Sequence, residues 1–147
     1  SLGSVLWAQF HDGFCHVHTS ITVDNVLKAK EVRPNVLVLA HPECKMDVLD
    51  LADFIGSTSE IIDYATASSH KEFLICTEMG VLYELKQKNP DKEFYSVGHR
   101  QFCPNMKKIS LEKIVKCLTE MSPTVEIEEE KRLAANKPLS SMLELAK

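Results

Sequence analysis

Short apolar runs alternate with longer segments along this chain. The apolar runs cover residues 4–10, 36–40, 72–76 and 93–97. Each is short and rich in β-branched, leucine or aromatic residues, which is typical of a buried strand. Strands that alternate with helices predict parallel sheets with right-handed crossover connections. The pattern therefore predicts an α/β fold.

The segments between these runs show helical spacing of their apolar residues. Helices are predicted over residues 23–31, 46–54, 111–120 and 129–147, and also after Ser57 and up to Lys88. Hydroxyl residues stand where helix N-caps are expected, namely Thr22, Ser57, Thr77 and Ser110. Ser57 followed three residues later by Glu60 also matches a capping box.

The last quarter of the chain carries weaker signals. Residues 124–128 are expected to form a last short strand. Two apolar stripes are expected to face inward, one on each of the last two helices. Their members are Leu111, Ile114, Val115 and Leu118, followed by Met142, Leu143 and Ala146.

Polar residues that could take part in catalysis or ligand binding follow two of the predicted strands. His41, Glu43 and Cys44 follow the strand at residues 36–40, and Thr77 and Glu78 follow the strand at 72–76. Ligands of open α/β sheets bind just beyond the carboxyl ends of the strands. Two interpretations stay open for each motif: a site for chemistry, or a polar turn before the next helix.

Two further segments are candidates for binding. The segment 11–18 holds three histidines and Cys15, so Cys15 and His18 could both face a metal ion. Ser57 and Thr58 either simply cap a helix or also offer its N-terminus to a phosphate or carboxylate.

Composition narrows the class of protein. The apolar fraction of 44% and the charged fraction of 26% are those of a globular protein, and no apolar run approaches the length of a membrane span. The net charge of −4 gives no basic footprint for nucleic acid. Five cysteines without a CxxC pair, and no secretory signal, favour a reducing compartment. We therefore expect a cytoplasmic protein, or a plastid one if the source is a plant.

Taken in series, the motifs of this chain resemble one known family. The matching segments are Gly13-Phe14-Cys15 with His18, and residues 41–44, 52–59, 77–80, 89–92 and 103–108. Each motif alone is weak, but all six stand in the order and approximate spacing of the quinolinate synthases, the A proteins of de novo NAD biosynthesis. The resemblance covers residues 13–120 and extends more loosely to the end.

The resemblance implies a fold of similar small three-layer α/β domains around a pseudo-threefold axis, with a [4Fe–4S] cluster at the centre. It implies a transferase that condenses iminoaspartate with dihydroxyacetone phosphate to quinolinate, with loss of phosphate and water, and that is linked functionally to L-aspartate oxidase. Cys15 and Cys103 match cluster ligands, and His41 and Glu43 match catalytic residues. Substrate binding is implied for His41, Pro42, Glu43, Ser57 and Thr58.

The resemblance also implies how the chain is divided. Residues 1–33 correspond to the remainder of a middle domain, 34–122 to the C-terminal domain and 123–147 to an extension that packs back on the domains. The family's first domain and a third cluster cysteine have no counterpart here, so we expect the chain alone to be inactive.

Two other functions stay open at this stage. A zinc-dependent hydrolase could use Cys15, His18, His41 and Glu43. Alternatively, the chain could be an α/β interaction module without a cofactor, in which case Cys15→Ser and Cys103→Ser would change nothing measurable.

Overall fold

A computed structural model describes residues 15–98 and 101–145 of the chain. The predicted strand at residues 4–10 lies outside the described residues. The elements in chain order are α1 (His16–Thr19), α2 (Val23–Val32), β1 (Leu37–Ala40), α3 (Met46–Leu49), β2 (Phe54–Ile55), α4 (Thr58–Ala67), β3 (Glu72–Cys76), α5 (Val81–Lys88), β4 (Glu93–Ser96), a 3₁₀ turn (Met106–Lys108), α6 (Leu111–Glu120) and α7 (Glu129–Leu145).

The four strands form one all-parallel sheet in the order β2-β1-β3-β4. In the register of the two central strands, Leu37 pairs with Phe73 and Ala40 pairs with Cys76. The predicted α/β fold with a parallel sheet is therefore confirmed. The strands predicted from the apolar runs at 36–40, 72–76 and 93–97 are β1, β3 and β4, within one residue at each end.

Successive residues of the central strands enter two separate cores. On one face, Val38 of β1 and Leu74 of β3 pack with Val26 of α2 and Val48 of α3. On the other face, the alternate strand residues pack with α4 and α5, and these are Leu39, Phe73 and Ile75 against Ile61, Ala65 and Leu85. A sheet buried on both faces by helices is a three-layer α/β arrangement, which explains why its strands read as continuous apolar runs.

The helix predicted over residues 46–54 is partly wrong. Helix α3 ends at Leu49, and Phe54–Ile55 form β2 instead. The cause is Asp53, whose backbone N–H donates to the Val38 carbonyl at 2.8 Å and whose carboxylate accepts from the Val38 N–H at 2.7 Å. Gly56 continues the pairing of β2 with β1, because its N–H donates to the Ala40 carbonyl at 3.1 Å.

The predicted N-caps are confirmed at three positions and wrong at one. Thr22, Ser57 and Ser110 accept from backbone N–H groups of α2, α4 and α6, and Ser57 forms the full capping box with Glu60. Thr77 does not cap a helix, because α5 begins only at Val81, after Gly80. Its hydroxyl is instead part of the site described below.

The chain divides into two compact units, one up to Met106 and one from Lys107 onward. The second unit contains α6 and α7, and residues 124–128 form no strand, so that prediction is wrong. The two apolar stripes expected to face inward are exposed instead. Those exposed side chains are Leu111, Ile114, Val115, Leu118, Met142 and Leu143, whereas Ala146 lies outside the described residues.

Two sequence-based expectations concern the chain as a whole. The domain boundaries at residues 33/34 and 122/123 stay a prediction. No helix within the described residues is both long enough and apolar enough to cross a membrane.

Candidate functional site

A buried histidine joins two strand ends at the centre of the candidate site. His18 Nδ1 lies 2.6 Å from Glu43 Oε2, and His18 Nε2 lies 2.9 Å from Thr77 Oγ1. The His18 residue is 7% exposed and Thr77 is 2% exposed. The His18 ring is therefore held at both nitrogens, by one residue that follows β1 and one that follows β3.

His41 stacks on this histidine. The two rings are 4.3 Å apart at their centroids and 3° from parallel. His41 Nδ1 accepts the backbone N–H of Glu43 at 3.2 Å, and in the described part of the chain no hydrogen-bond partner lies at its Nε2. Burial lowers the pKa of His41, the neighbouring His18 lowers it further, and Glu43 opposes both effects. His41 is therefore a neutral imidazole with its hydrogen on Nε2.

The position of these residues follows from the sheet topology. The chain leaves β1 toward β2 on one side and leaves β3 toward β4 on the other. Helix α3, which follows β1, packs on one face of the sheet, and α5, which follows β3, packs on the opposite face. The carboxyl ends of β1 and β3 therefore flank a topological switch point, where open α/β sheets bind ligands.

Cys15 lies beside the same cluster. It precedes α1 and is half-buried, and its carbonyl accepts from the Thr19 hydroxyl at 3.1 Å. Three potential metal-ligand atoms lie within 4.8 Å of one another, one each from Cys15, His18 and Glu43. A thiol, an imidazole and a carboxylate at this spacing could hold a metal ion.

Cys103 reaches the same edge of the sheet through Gln101. The Gln101 side chain donates to the carbonyls of Ile75 and Thr77 and accepts from the Val97 N–H, each at 2.7 Å. The Met79 N–H donates to the Gln101 carbonyl at 2.8 Å. The Cys103 N–H lies 3.4 Å from Glu78 Oε1. These contacts hold the backbone at Cys103 close to the end of β3, and the Cys103 residue is half-buried.

The other cysteines have different surroundings. Cys44 and Cys76 are buried, and the Cys44 thiol donates to the Cys76 carbonyl at 3.3 Å. Burial raises the pKa of Cys44 to about 12 and raises that of Cys76 as well. Both thiols are therefore protonated core groups at neutral pH. Cys117 is exposed on α6.

Ser57 and Thr58 begin α4, directly after β2. The Ser57 N–H donates to Glu60 Oε2 at 2.7 Å, and the Ser57 hydroxyl accepts the Glu60 N–H at 3.4 Å. Thr58 is exposed. Because β2 lies next to β1, these residues stand at the same sheet edge as His41. The capping interpretation of Ser57 is confirmed, and an anion at this helix start would compete with the Glu60 carboxylate.

Sequence reasoning placed His41 and Glu43 beyond a strand end and named Cys15 as a candidate ligand, but it missed how His18 links the site. His18 appeared there only as a possible metal ligand, Thr77 as a helix cap and Gln101 not at all. The available signal for Thr77 was its place at the end of a buried strand, where a hydroxyl needs a partner. For Gln101 no local signal existed, because the two carbonyls to which its side chain donates are 24 and 26 residues away.

Comparison with known proteins gives a consistent result. A family model described as quinolinate synthetase A protein matches residues 5–144. The chain is 50% identical over 141 residues to the quinolinate synthase of Caldicellulosiruptor bescii, which covers 96% of this chain and 45% of that protein. It is 44% identical over 138 residues to the quinolinate synthase of Clostridioides difficile, covering 94% of this chain and 44% of that protein. The chain thus spans about half the length of these curated relatives.

Proposed function

Because this chain belongs to the quinolinate synthetase A protein family, we propose that it supplies part of the active site of a quinolinate synthase of NAD biosynthesis. The proposed reaction is the iron–sulfur-dependent condensation of iminoaspartate with dihydroxyacetone phosphate to quinolinate, with loss of phosphate and water. The observation that carries the proposal is the convergence of Cys15, His41 and Glu43 at the switch point between β1 and β3.

His41 is suited to hold a substrate carboxylate. Its Nδ1 is already occupied by the Glu43 N–H, so its Nε2–H is the group left to donate. The lowered pKa keeps the ring neutral, so it orients an anionic substrate without exchanging a proton. Pro42 shapes the turn that carries both His41 and Glu43, and Ser57 and Thr58 offer hydroxyls at a helix start to a second anionic group.

Glu43 is suited to acid–base catalysis. Condensation and dehydration require a group that removes and returns protons, and a carboxylate within hydrogen-bond reach of an imidazole does this. Glu43 Oε2 lies 2.6 Å from His18 Nδ1, and the Glu43 side chain is 27% exposed, open to a substrate. A hydrogen bond between His18 Nε2 and the Thr77 hydroxyl fixes the His18 ring, and the ring in turn orients the Glu43 carboxylate.

The donor chemistry of Cys15 and Cys103 fits an iron–sulfur cluster. Cys15 is half-buried beside Glu43, Cys103 is half-buried with its backbone N–H near Glu78, and thiolates are the ligands of [4Fe–4S] clusters. The resemblance implies that a third cysteine lies outside this chain. When bound, a cluster with an open coordination position supplies Lewis acidity toward a substrate oxygen or nitrogen.

A chimera tests the proposal directly. The matching part of the Caldicellulosiruptor bescii quinolinate synthase would be replaced by this chain, and quinolinate formation from iminoaspartate (supplied by L-aspartate oxidase) and dihydroxyacetone phosphate would be measured. We expect turnover, together with broad visible absorption of a cluster that bleaches in air. A folded chimera that carries the cluster but forms no quinolinate would contradict the proposed reaction.

The two alternatives make different predictions for the same chimera. A zinc-dependent hydrolase that uses Cys15, His18, His41 and Glu43 predicts a chimera that contains zinc, lacks visible absorption and forms no quinolinate. A cofactor-free interaction module predicts that Cys15→Ser and Cys103→Ser leave the chimera unchanged. Loss of cluster absorption in both variants would favour the proposed enzyme over that module.

A further inference from the structure

We propose that the cluster-free chain binds one zinc ion through Cys15 Sγ, His18 Nδ1 and Glu43 Oε2. This site shares Cys15 with the proposed cluster but does not use Cys103. Thiolate, imidazole and carboxylate together form a donor set that suits Zn²⁺. Three protein ligands leave a fourth position for water.

The separations of the donor atoms fit this assignment after small side-chain rotations. One donor atom from each of the three residues lies within 4.8 Å of the other two. In a tetrahedral zinc site, metal–ligand bonds of about 2.0–2.3 Å place neighbouring donor atoms roughly 3.3–3.8 Å apart. His18 Nδ1 and Glu43 Oε2 lie 2.6 Å apart, so they need to move apart by about 0.7–1.2 Å to reach that spacing.

The surroundings of His18 select the nitrogen that binds. His18 Nε2 lies 2.9 Å from the buried Thr77 hydroxyl, while Nδ1 faces Glu43. With Nδ1 on zinc, the ring hydrogen is carried at Nε2 and donates to Thr77 Oγ1. A second hydrogen bond of this kind fixes the orientation of most zinc-binding histidines. The thiol proton of Cys15 leaves to solvent when the ion binds.

Sharing of Cys15 has a functional consequence. A thiolate on zinc cannot also hold a cluster iron, so zinc and cluster exclude each other. Zinc-loaded protein should therefore resist cluster reconstitution until the ion is removed by a chelator. Zinc binding by the cluster-free chain does not depend on the proposed function, whereas the mutual exclusion of zinc and cluster rests on Cys15 being a cluster ligand.

Cobalt provides a visible probe for the zinc site. The reduced, cluster-free chain would be titrated with Co²⁺ under anaerobic conditions, and zinc would then be added. We expect one cobalt per chain, a thiolate-to-cobalt charge-transfer band in the near ultraviolet, and displacement by one equivalent of zinc. His18→Gln and Glu43→Gln should each weaken cobalt binding by at least about tenfold.

Cysteine variants separate this site from the cluster. Cys15→Ser should abolish the charge-transfer band, whereas Cys103→Ser should keep it although it removes a proposed cluster ligand. Cys117→Ser, which removes the exposed thiol of α6, is the matched control and should also keep it. A band that survives Cys15→Ser, or disappears with Cys103→Ser, would overturn the assignment. A failed cluster assembly in the chimera would count only against the proposed function.

Alkylation gives a second measurement that needs no substitution at Cys15. Zinc should protect Cys15 from iodoacetamide while Cys117 in the same molecule is modified at an unchanged rate, as read by peptide mass spectrometry. Equal modification of Cys15 with and without bound zinc would contradict the inference even if Cys15→Ser failed to fold.

Discussion

Glu43 is the residue whose charge the proposed chemistry depends on most. Glu43→Gln keeps the size of the side chain and its capacity to hydrogen-bond His18 but removes the group that accepts a proton. In the chimera we expect an unchanged cluster spectrum and a loss of quinolinate formation of at least about 100-fold. Glu84→Gln, which removes an exposed carboxylate of α5 paired with Lys88, is the control and should leave turnover unchanged. Normal turnover by Glu43→Gln would remove this residue from acid–base catalysis.

Thr77 is expected to stabilise the folded chain. Within the described residues, its hydroxyl is the only hydrogen-bond partner of His18 Nε2. Thr77→Val keeps the shape of the side chain but leaves a buried ring nitrogen unsatisfied. We expect the free energy of unfolding to fall by about 1–3 kcal/mol, measured by chemical denaturation. Thr77→Ser, which keeps the hydroxyl, should recover most of the loss. Equal stability of the Val variant and the parent would contradict this role.

The residues of the site were predictable to different degrees. His41 and Glu43 follow directly from their place after a buried strand, because strand ends in parallel sheets lie at one edge. The link through His18 was not predictable, since its partners are 25 and 59 residues away in sequence. A local pattern indicates which residues reach the edge, whereas only the packed sheet decides which of them touch.

At the level of elements, Lys92 stabilises the end of α4. This lysine is 6% exposed, and its Nζ donates to the carbonyls of Ala65, Thr66 and Ser68 at 2.6, 3.2 and 2.7 Å. A cation at this position donates to carbonyls that a helix end leaves without partners. It also interacts favourably with the negative end of the helix dipole.

Replacement of Lys92 tests this capping. Lys92→Met keeps the length of the side chain but removes the charge and all three hydrogen bonds, and we expect a loss of about 2–3 kcal/mol in the free energy of unfolding. Lys88→Met, at the exposed end of α5, is the matched control and should change stability by less than about 0.5 kcal/mol. Similar effects of the two substitutions would show that burial of the Lys92 ammonium contributes no special stabilisation.

The elements themselves were largely predictable where packing and local pattern agree. The runs that became β1, β3 and β4 are apolar throughout because both faces of the sheet are covered. Strand β2 was not predicted, and Phe54 was assigned to a helix, because a strand of two residues has no periodicity of its own. The strand conformation of Phe54–Ile55 comes from the two hydrogen bonds between Asp53 and Val38, a contact across 15 residues.

For the whole molecule, the second unit marks the limit of sequence reasoning. The stripe on α6 was correctly identified as apolar, but among the described residues its leucines and valine are 62–77% exposed. Amphipathic spacing specifies which side of a helix favours burial, but it does not specify what covers that side. The boundaries of α6, in contrast, were predictable because Ser110 acts locally as its cap.

Global stability should fall in alkaline solution because of the buried thiols. Burial raises the pKa of Cys44 from its ordinary value of 9.0 to about 12, so above pH 9 the unfolded chain loses a proton that the folded chain keeps. The contribution of the Cys44 thiol to the free energy of unfolding is therefore fully present below pH 9 and is lost as the pH rises toward 12. Near pH 10 to 11 the free energy of unfolding should fall by about 1.4 kcal/mol per pH unit because of this thiol.

Cys44→Ser should reduce the measured dependence of the free energy of unfolding on pH by about that amount. Cys117→Ser, whose thiol is exposed when the chain is folded, is the control and should not reduce it. An unchanged slope in Cys44→Ser would mean that this thiol titrates alike in the folded and unfolded chain.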